Sequence, residues 1–140
     1  VQACIALSPQ GVGEPFFTKE SFASLSTPLL GISGTKDKQQ GGLPATNRYE
    51  AFQWWSSGSN NIFIWLNNAS HLDFSDSEGS ETTGLPSKNR KDVQKTVRAA
   101  SLLFYNQLLK NNKPLQNQWS TQYMKNYLSG DIDDVEVRVK

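Results

Sequence analysis

The sequence predicts an α/β domain built around a parallel sheet. Three short apolar runs, at residues 1–8, 28–34 and 61–66, each end in turn-forming or polar residues. Such runs are typical of strands that are buried on both faces. Helical patterns follow the second and third runs, and strands that alternate with helices indicate parallel βαβ units. A length of 140 residues fits a single domain or part of a larger one.

The first run, VQACIALS, is nearly continuous in apolar residues and ends at Ser8, Pro9 and Gln10. Cys4, the only cysteine, lies within this run, so we expect it to be a buried core residue and exclude an intrachain disulfide. Residues 9–27 are predicted to be mainly loop, with one or two helical turns in FFTKESFASL. A buried strand at the first residue also predicts a pairing edge that another segment would cover.

The second run, PLLGISG, is the second strand, and a polar loop over residues 35–46 follows it. Thr46 is predicted to cap a helix from Asn47 to about Ser57. One face of that helix is aromatic and is expected to pack on the sheet; it carries Tyr49, Phe52 and Trp55.

The third strand is NIFIWL, and the long polar stretch over residues 67–89 after it is predicted to be a loop. A helix is predicted from Asp92 to about Lys110, since its apolar residues recur on one face. That face carries Val93, Val97, Ala100, Phe104 and Leu108. Residues 118–128 suggest a short helix, and the alternating residues 135–140 suggest a final edge strand.

Composition excludes several classes of function. The net charge is +1, from 14 basic and 13 acidic residues, and no basic stripe supports nucleic-acid binding. No apolar run approaches the roughly 20 residues of a membrane span. Only 19% of the residues are charged, and Asn, Gln and Ser are abundant, which is somewhat more typical of secreted or periplasmic proteins.

Two candidate catalytic residues follow neighbouring strands. Asp37 comes shortly after the second predicted strand, and His71, the only histidine, comes after the third. In a parallel sheet, ligands bind at the carboxyl ends of the strands, so we expect these two side chains to meet at that edge. A carboxylate on one imidazole nitrogen fixes the tautomer and leaves the other nitrogen to take a proton from a nucleophile.

The same segments resemble the carboxyl-terminal half of an α/β-hydrolase. The similarity is greatest to the branch of dienelactone hydrolases, platelet-activating-factor acetylhydrolases and polyester hydrolases. Gly34-Thr35-Lys36-Asp37 is similar to the family's Gly-x-x-Asp acid motif, and Ala69-Ser70-His71 is similar to its base motif. The similarity covers most of residues 1–112. It implies an α/β-hydrolase fold and a Ser-Asp-His triad in which Asp37 is the acid and His71 the base.

One part of the family pattern is missing from these residues. The nucleophile of the family stands in a Gly-x-Ser-x-Gly elbow, and the nearest sequence, GISGT, places Ser33 within a strand at the wrong spacing. Residues 1–140 are therefore expected to be the carboxyl-terminal part of one α/β-hydrolase domain. Its amino-terminal half, with the serine and the oxyanion hole, would be a partner of this chain.

The resemblance implies a serine hydrolase that acts on a small-molecule carboxylic ester or a similar acyl substrate, without a metal or organic cofactor. Phe16 and Phe17, after the first strand, are candidates to line the substrate pocket. Ser8, Pro9 and Gln10 lie at the same edge and are expected to shape its loop. The alternative is a catalytically silent binding or structural module in which Asp37 and His71 are incidental.

A metal site is the weaker interpretation of the acids near His71. Asp73, Asp76 and Glu78 follow it closely, but there is no second histidine and no recognisable ligand spacing. We therefore expect these three carboxylates to be solvated loop acids. Whether residues 77–90 form a lid is left open by the sequence.

Overall fold

In the part of the chain that the structure describes, four strands form one mixed sheet in the order β1-β2-β3-β4. The computed structural model describes residues 2–13, 17–38, 42–57, 60–79, 85–109, 119–125 and 135–140. The strands are β1 (Cys4–Leu7), β2 (Leu29–Lys36), β3 (Ile62–Ser70) and β4 (Val135–Val139). The first three are parallel, and β4 pairs antiparallel with β3 at the edge. The predicted α/β class, its parallel strands and the final edge strand are confirmed.

Four α-helices accompany the described part of the sheet. They are α1 (Lys19–Ala23), α2 (Thr46–Ala51), α3 (Arg90–Leu109) and α4 (Thr121–Lys125). The prediction for α2 was too long, because the chain tightens into a 3₁₀ turn at Phe52–Trp54 and becomes extended at Trp55. Thr46 is the first helical residue rather than the cap, which is Ala45. None of the described helices combines the length and hydrophobicity needed to cross a bilayer.

Both central strands extend beyond their apolar runs. β2 continues to Lys36 and β3 to Ser70, and these two residues are paired across a register shift. The strands approach closely there, since a Cβ on Gly34 would lie 2.5 Å from both the Cβ and the carbonyl oxygen of Ala69. The apolar pattern did not reveal these ends because backbone pairing continues through polar residues. Asp37 and His71 therefore follow directly on paired strand ends.

The sheet has an aliphatic face and an aromatic face. On one side α3 packs on β2 and β3, with Val93, Ala100 and Phe104 fully buried, as the helical pattern predicted. On the other side, α1, α2 and the 3₁₀ turn cover a second cluster of buried residues. That cluster consists of Phe22, Leu29, Ala51, Phe52, Trp55 and Phe63. The two layers bury the faces of the central strands and leave their carboxyl ends open.

β1 is not buried on both faces, contrary to the prediction. Cys4 is exposed and Leu7 is 39% exposed. β1 stands at one edge of the sheet, and no described strand pairs with its outer side. Its residues are exposed or half-buried, whereas β2 is buried over most of its length, so the prediction of a buried Cys4 was wrong.

Candidate active site

The carboxyl ends of β2 and β3 bring Asp37 and His71 into contact. The Nδ1 atom of His71 lies 3.1 Å from Oδ1 of Asp37. Asp37 is completely buried, whereas the His71 side chain is 61% exposed. The buried carboxylate is thus fixed within the fold, and the imidazole faces the solvent from the edge of the sheet.

Three other side chains surround the Asp37 carboxylate. Ser33, on β2, donates its hydroxyl hydrogen to Oδ2 at 2.7 Å, and Ser8 donates to Oδ1 at 3.0 Å. Nε of Arg48 lies 3.4 Å from Oδ1. A buried charge is tolerated when it is paired and hydrogen-bonded, and both oxygens of this carboxylate meet that condition.

Arg48, on α2, joins the turns that follow β1 and β2. The residue is only 4% exposed. It donates to the carbonyl oxygens of Ser8 and Pro9 at 2.7 and 2.9 Å, and to those of Asp37 and Lys38 at 3.0 and 3.4 Å. Sequence reasoning missed this residue; the one available signal was a cation on a helix predicted to pack on the sheet.

The contacts at Nδ1 favour the tautomer of His71 that carries its proton on this nitrogen. Besides Asp37, the Ser8 hydroxyl oxygen lies 2.8 Å from Nδ1. The Asp37 carboxylate can only accept, so its contact with Nδ1 is satisfied by a proton on that nitrogen; with the Ser8 hydroxyl hydrogen also directed to Asp37, the Ser8 oxygen then accepts from the ring. No described residue hydrogen-bonds to Nε2, so a lone pair on this nitrogen points away from the cluster. Ser8 and Asp37 both contact Nδ1 of His71. A triad nucleophile would contact Nε2, so Ser8 does not occupy the position of a nucleophile.

The loop after His71 is held by a second buried carboxylate. His71–Phe74 forms a 3₁₀ turn, and Asp73 caps it by accepting from the backbone N–H and hydroxyl of Ser70 at 2.7 and 3.0 Å. Asp73 also accepts from the backbone N–H and hydroxyl of Ser87, both at 2.7 Å. The expectation that Asp73 is a solvated loop acid was wrong, because four donors compensate its burial.

The other two loop acids, Asp76 and Glu78, are exposed as expected. Within the part of the chain that the structure describes, no three His, Cys, Asp or Glu side chains are close enough together to hold a metal ion.

Phe17 lines an apolar cavity of about 300 Å³ beside β1. Pro9 and Gln10, which directly follow Ser8, also line it. The other lining residues are Cys4, Ala6, Phe22, Leu25, Thr27, Leu29 and Trp55. Phe16, the second predicted pocket residue, lies outside the described residues. Residues 80–84 also lie outside them; they belong to the segment 77–90, for which the sequence does not decide whether it forms a lid.

Comparison with known proteins adds no assignment to this geometry. No family model matches the sequence, and no curated protein and no solved structure matches the chain.

Proposed function

We propose that this chain is the carboxyl-terminal part of an α/β-hydrolase domain and that the complete protein is a serine hydrolase of carboxylic esters. Asp37 is the acid of its triad and His71 is the base. The observation that carries the proposal is the contact of 3.1 Å between the buried Asp37 carboxylate and Nδ1 of His71, whose side chain is 61% exposed. This arrangement leaves Nε2 available to a nucleophile.

In the first half of the proposed reaction, a serine outside residues 1–140 attacks the ester carbonyl carbon. Nε2 of His71 takes the proton of that hydroxyl as the new C–O bond forms. The ring becomes an imidazolium, which the Asp37 carboxylate stabilises through Nδ1–H. The same proton then passes to the alkoxide leaving group, so that an alcohol departs and an acyl-enzyme remains.

In the second half, a water molecule replaces the serine hydroxyl as the nucleophile. His71 takes a proton from that water and returns it to the serine oxygen, which releases the carboxylic acid. The chemistry consists of proton transfer and acyl transfer, for which the triad is sufficient without a metal or an organic cofactor.

The cavity beside β1 supports the proposal that the ester substrate has an apolar acyl group. Its walls are almost wholly apolar, and Pro9 and Gln10 connect it to the turn that carries Ser8. Phe17, which is 37% exposed, contributes an aromatic side chain to this wall, and apolar and aromatic linings are typical of small-molecule sites.

Hydrolysis of a short-chain chromogenic ester by the complete gene product tests the proposal. We expect His71→Ala and Asp37→Asn each to lose about a thousandfold or more in kcat. Asp76→Asn is the matched control, since this exposed carboxylate lies in the His71 loop without contacting the imidazole; it should stay within about twofold of wild type.

Two results would count against the proposal. Equal activity of the wild type and His71→Ala would show that His71 is not the base. No turnover, together with no labelling of a serine by a serine-reactive phosphonate, would favour a catalytically silent binding module.

A further inference from the structure

Ser8 occupies an unusual backbone conformation at the end of β1. Its φ is +53°, in the left-handed region that L-residues other than Asn and Asp rarely adopt. Such conformations are strained and persist where the surrounding structure holds them, often at functional sites. The position of the Ser8 side chain is therefore imposed by its surroundings.

The backbone N–H and the backbone carbonyl group of Ser8 are both fixed by hydrogen bonds. Its backbone N–H donates to the carbonyl oxygen of Ile32 on β2 at 2.7 Å. Its own carbonyl oxygen accepts from the buried Arg48 at 2.7 Å. With these two anchors, the Ser8 hydroxyl is held where it contacts both Asp37 and His71.

We propose that Ser8 is a positioning residue that holds the His71 imidazole in its Nδ1–H tautomer, an inference that rests on the proposed function of this site. A ring bound at one acceptor can still swing about that hydrogen bond, and 61% of the His71 side chain is open to solvent. The Ser8 oxygen, 2.8 Å from Nδ1, supplies a second acceptor on the same N–H. Two acceptors restrict the ring, and Nε2 then keeps a constant direction towards the substrate.

Ser33 provides a matched control for this role. Like Ser8, it donates a hydroxyl hydrogen to Asp37, but it does so at Oδ2 and at 2.7 Å. Ser33 is buried and its hydroxyl is directed to Asp37 rather than to His71, so its removal weakens only the support of the carboxylate. Comparison of the two serines separates an effect on the imidazole from an effect on Asp37.

The experiment is ¹⁵N NMR of the His71 ring in protein labelled with [¹⁵N]histidine, at about pH 8, where an ordinary imidazole is neutral. The signals that disappear in His71→Gln identify this ring. We expect Nδ1 to be the protonated nitrogen in the wild type. In Ser8→Ala the ratio of the Nδ1–H to the Nε2–H tautomer should fall about three- to tenfold, the factor that corresponds to one hydrogen bond.

Ser8→Gly should reproduce this shift, because glycine also lacks the hydroxyl but adopts a positive φ without strain. Ser33→Ala should leave the tautomer ratio within about twofold of wild type. The inference is overturned if Ser8→Ala and Ser8→Gly keep the wild-type ratio, or if Ser33→Ala shifts it as far as they do.

The NMR result does not depend on catalysis, so the two proposals can fail separately. A tautomer shift in Ser8→Ala without ester hydrolysis by the complete protein would retain the positioning role and reject the hydrolase. Hydrolysis that depends on His71, with no shift in Ser8→Ala, would retain the hydrolase and reject the positioning role.

Discussion

At the scale of single residues, two buried carboxylates have different partners and different consequences. Asp37 accepts from two serine hydroxyls and contacts the imidazole of His71. Among the described residues, Asp73, two residues beyond His71, accepts from Ser70 and Ser87 and does not contact the imidazole. Asp37 therefore contacts a solvent-exposed imidazole, whereas Asp73 fastens the loop that carries His71 to the segment before α3.

Removal of the Asp73 carboxylate should destabilise the fold. Asp73→Ala removes a buried acceptor and leaves its four part-buried donors without a partner, and we expect the free energy of unfolding to fall by about 2–4 kcal/mol. Urea unfolding, followed by circular dichroism, measures the loss. Asp76→Ala removes an exposed carboxylate from the same loop and should cost no more than about 0.5 kcal/mol. Equal stability of the two variants would refute the fastening role.

The sequence predicted that Ser8, Asp37 and His71 lie at one edge of the sheet, but it did not predict the contacts that Arg48 and Ser87 make there. Each candidate follows an apolar run, and this placement is visible without a structure. Arg48 acts through backbone carbonyl groups, and Ser87 reaches Asp73 from 14 residues away. Such contacts depend on how loops fold back on one another, which no local pattern of residue types reveals.

At the scale of secondary-structure elements, Tyr49 connects α2 to the edge strand β4. Its hydroxyl donates to the Glu136 carboxylate at 2.7 Å, and the Arg138 guanidinium lies 4.0 Å from its ring centre. Burial raises the pKa of Tyr49, and the hydrogen bond to Glu136 and the charge of that carboxylate raise it further. Arg138 acts in the opposite direction and lowers the pKa.

Glu136→Gln should lower the pKa of Tyr49 towards the ordinary value of about 10, because it removes the charge of the carboxylate and weakens its hydrogen bond, while burial still raises the pKa and Arg138 still lowers it. The sign follows from linkage: the folded state holds the phenol proton more tightly, so stability falls as pH rises from about 10 through the raised pKa. Phenolate absorbance measured against Tyr49→Phe, with and without the Glu136 change, isolates this group. An unchanged or raised pKa in the Glu136 variant would contradict the connection.

The prediction of the elements succeeded where burial gives a regular pattern and failed where polar groups take part in pairing. The apolar runs located β2 and β3, yet β3 continues for four residues beyond Leu66. There, Thr35 donates to the Asn67 side chain at 3.2 Å and accepts from the Asn68 backbone N–H at 2.8 Å. These bonds join two strands whose polar residues indicated a loop when either segment was considered alone.

At the scale of the whole molecule, parallel strand order gathers residues that are distant in sequence. Ser8, Asp37 and His71 each follow one of three adjacent parallel strands, so all three reach the same edge of the sheet. Arg48 fixes the first two turns to each other. The central claim of the proposed mechanism is that Asp37 and His71 act as a unit, with the carboxylate working only through the imidazole.

The most direct test is a double-mutant cycle in the complete protein, with kcat for ester hydrolysis measured in Asp37→Asn, His71→Ala and the double variant. If the carboxylate acts through the imidazole, the double variant should be no slower than His71→Ala, within about twofold. Losses that multiply would show that the two residues act independently. That result, or a His71→Ala variant as active as the wild type, would contradict the claim.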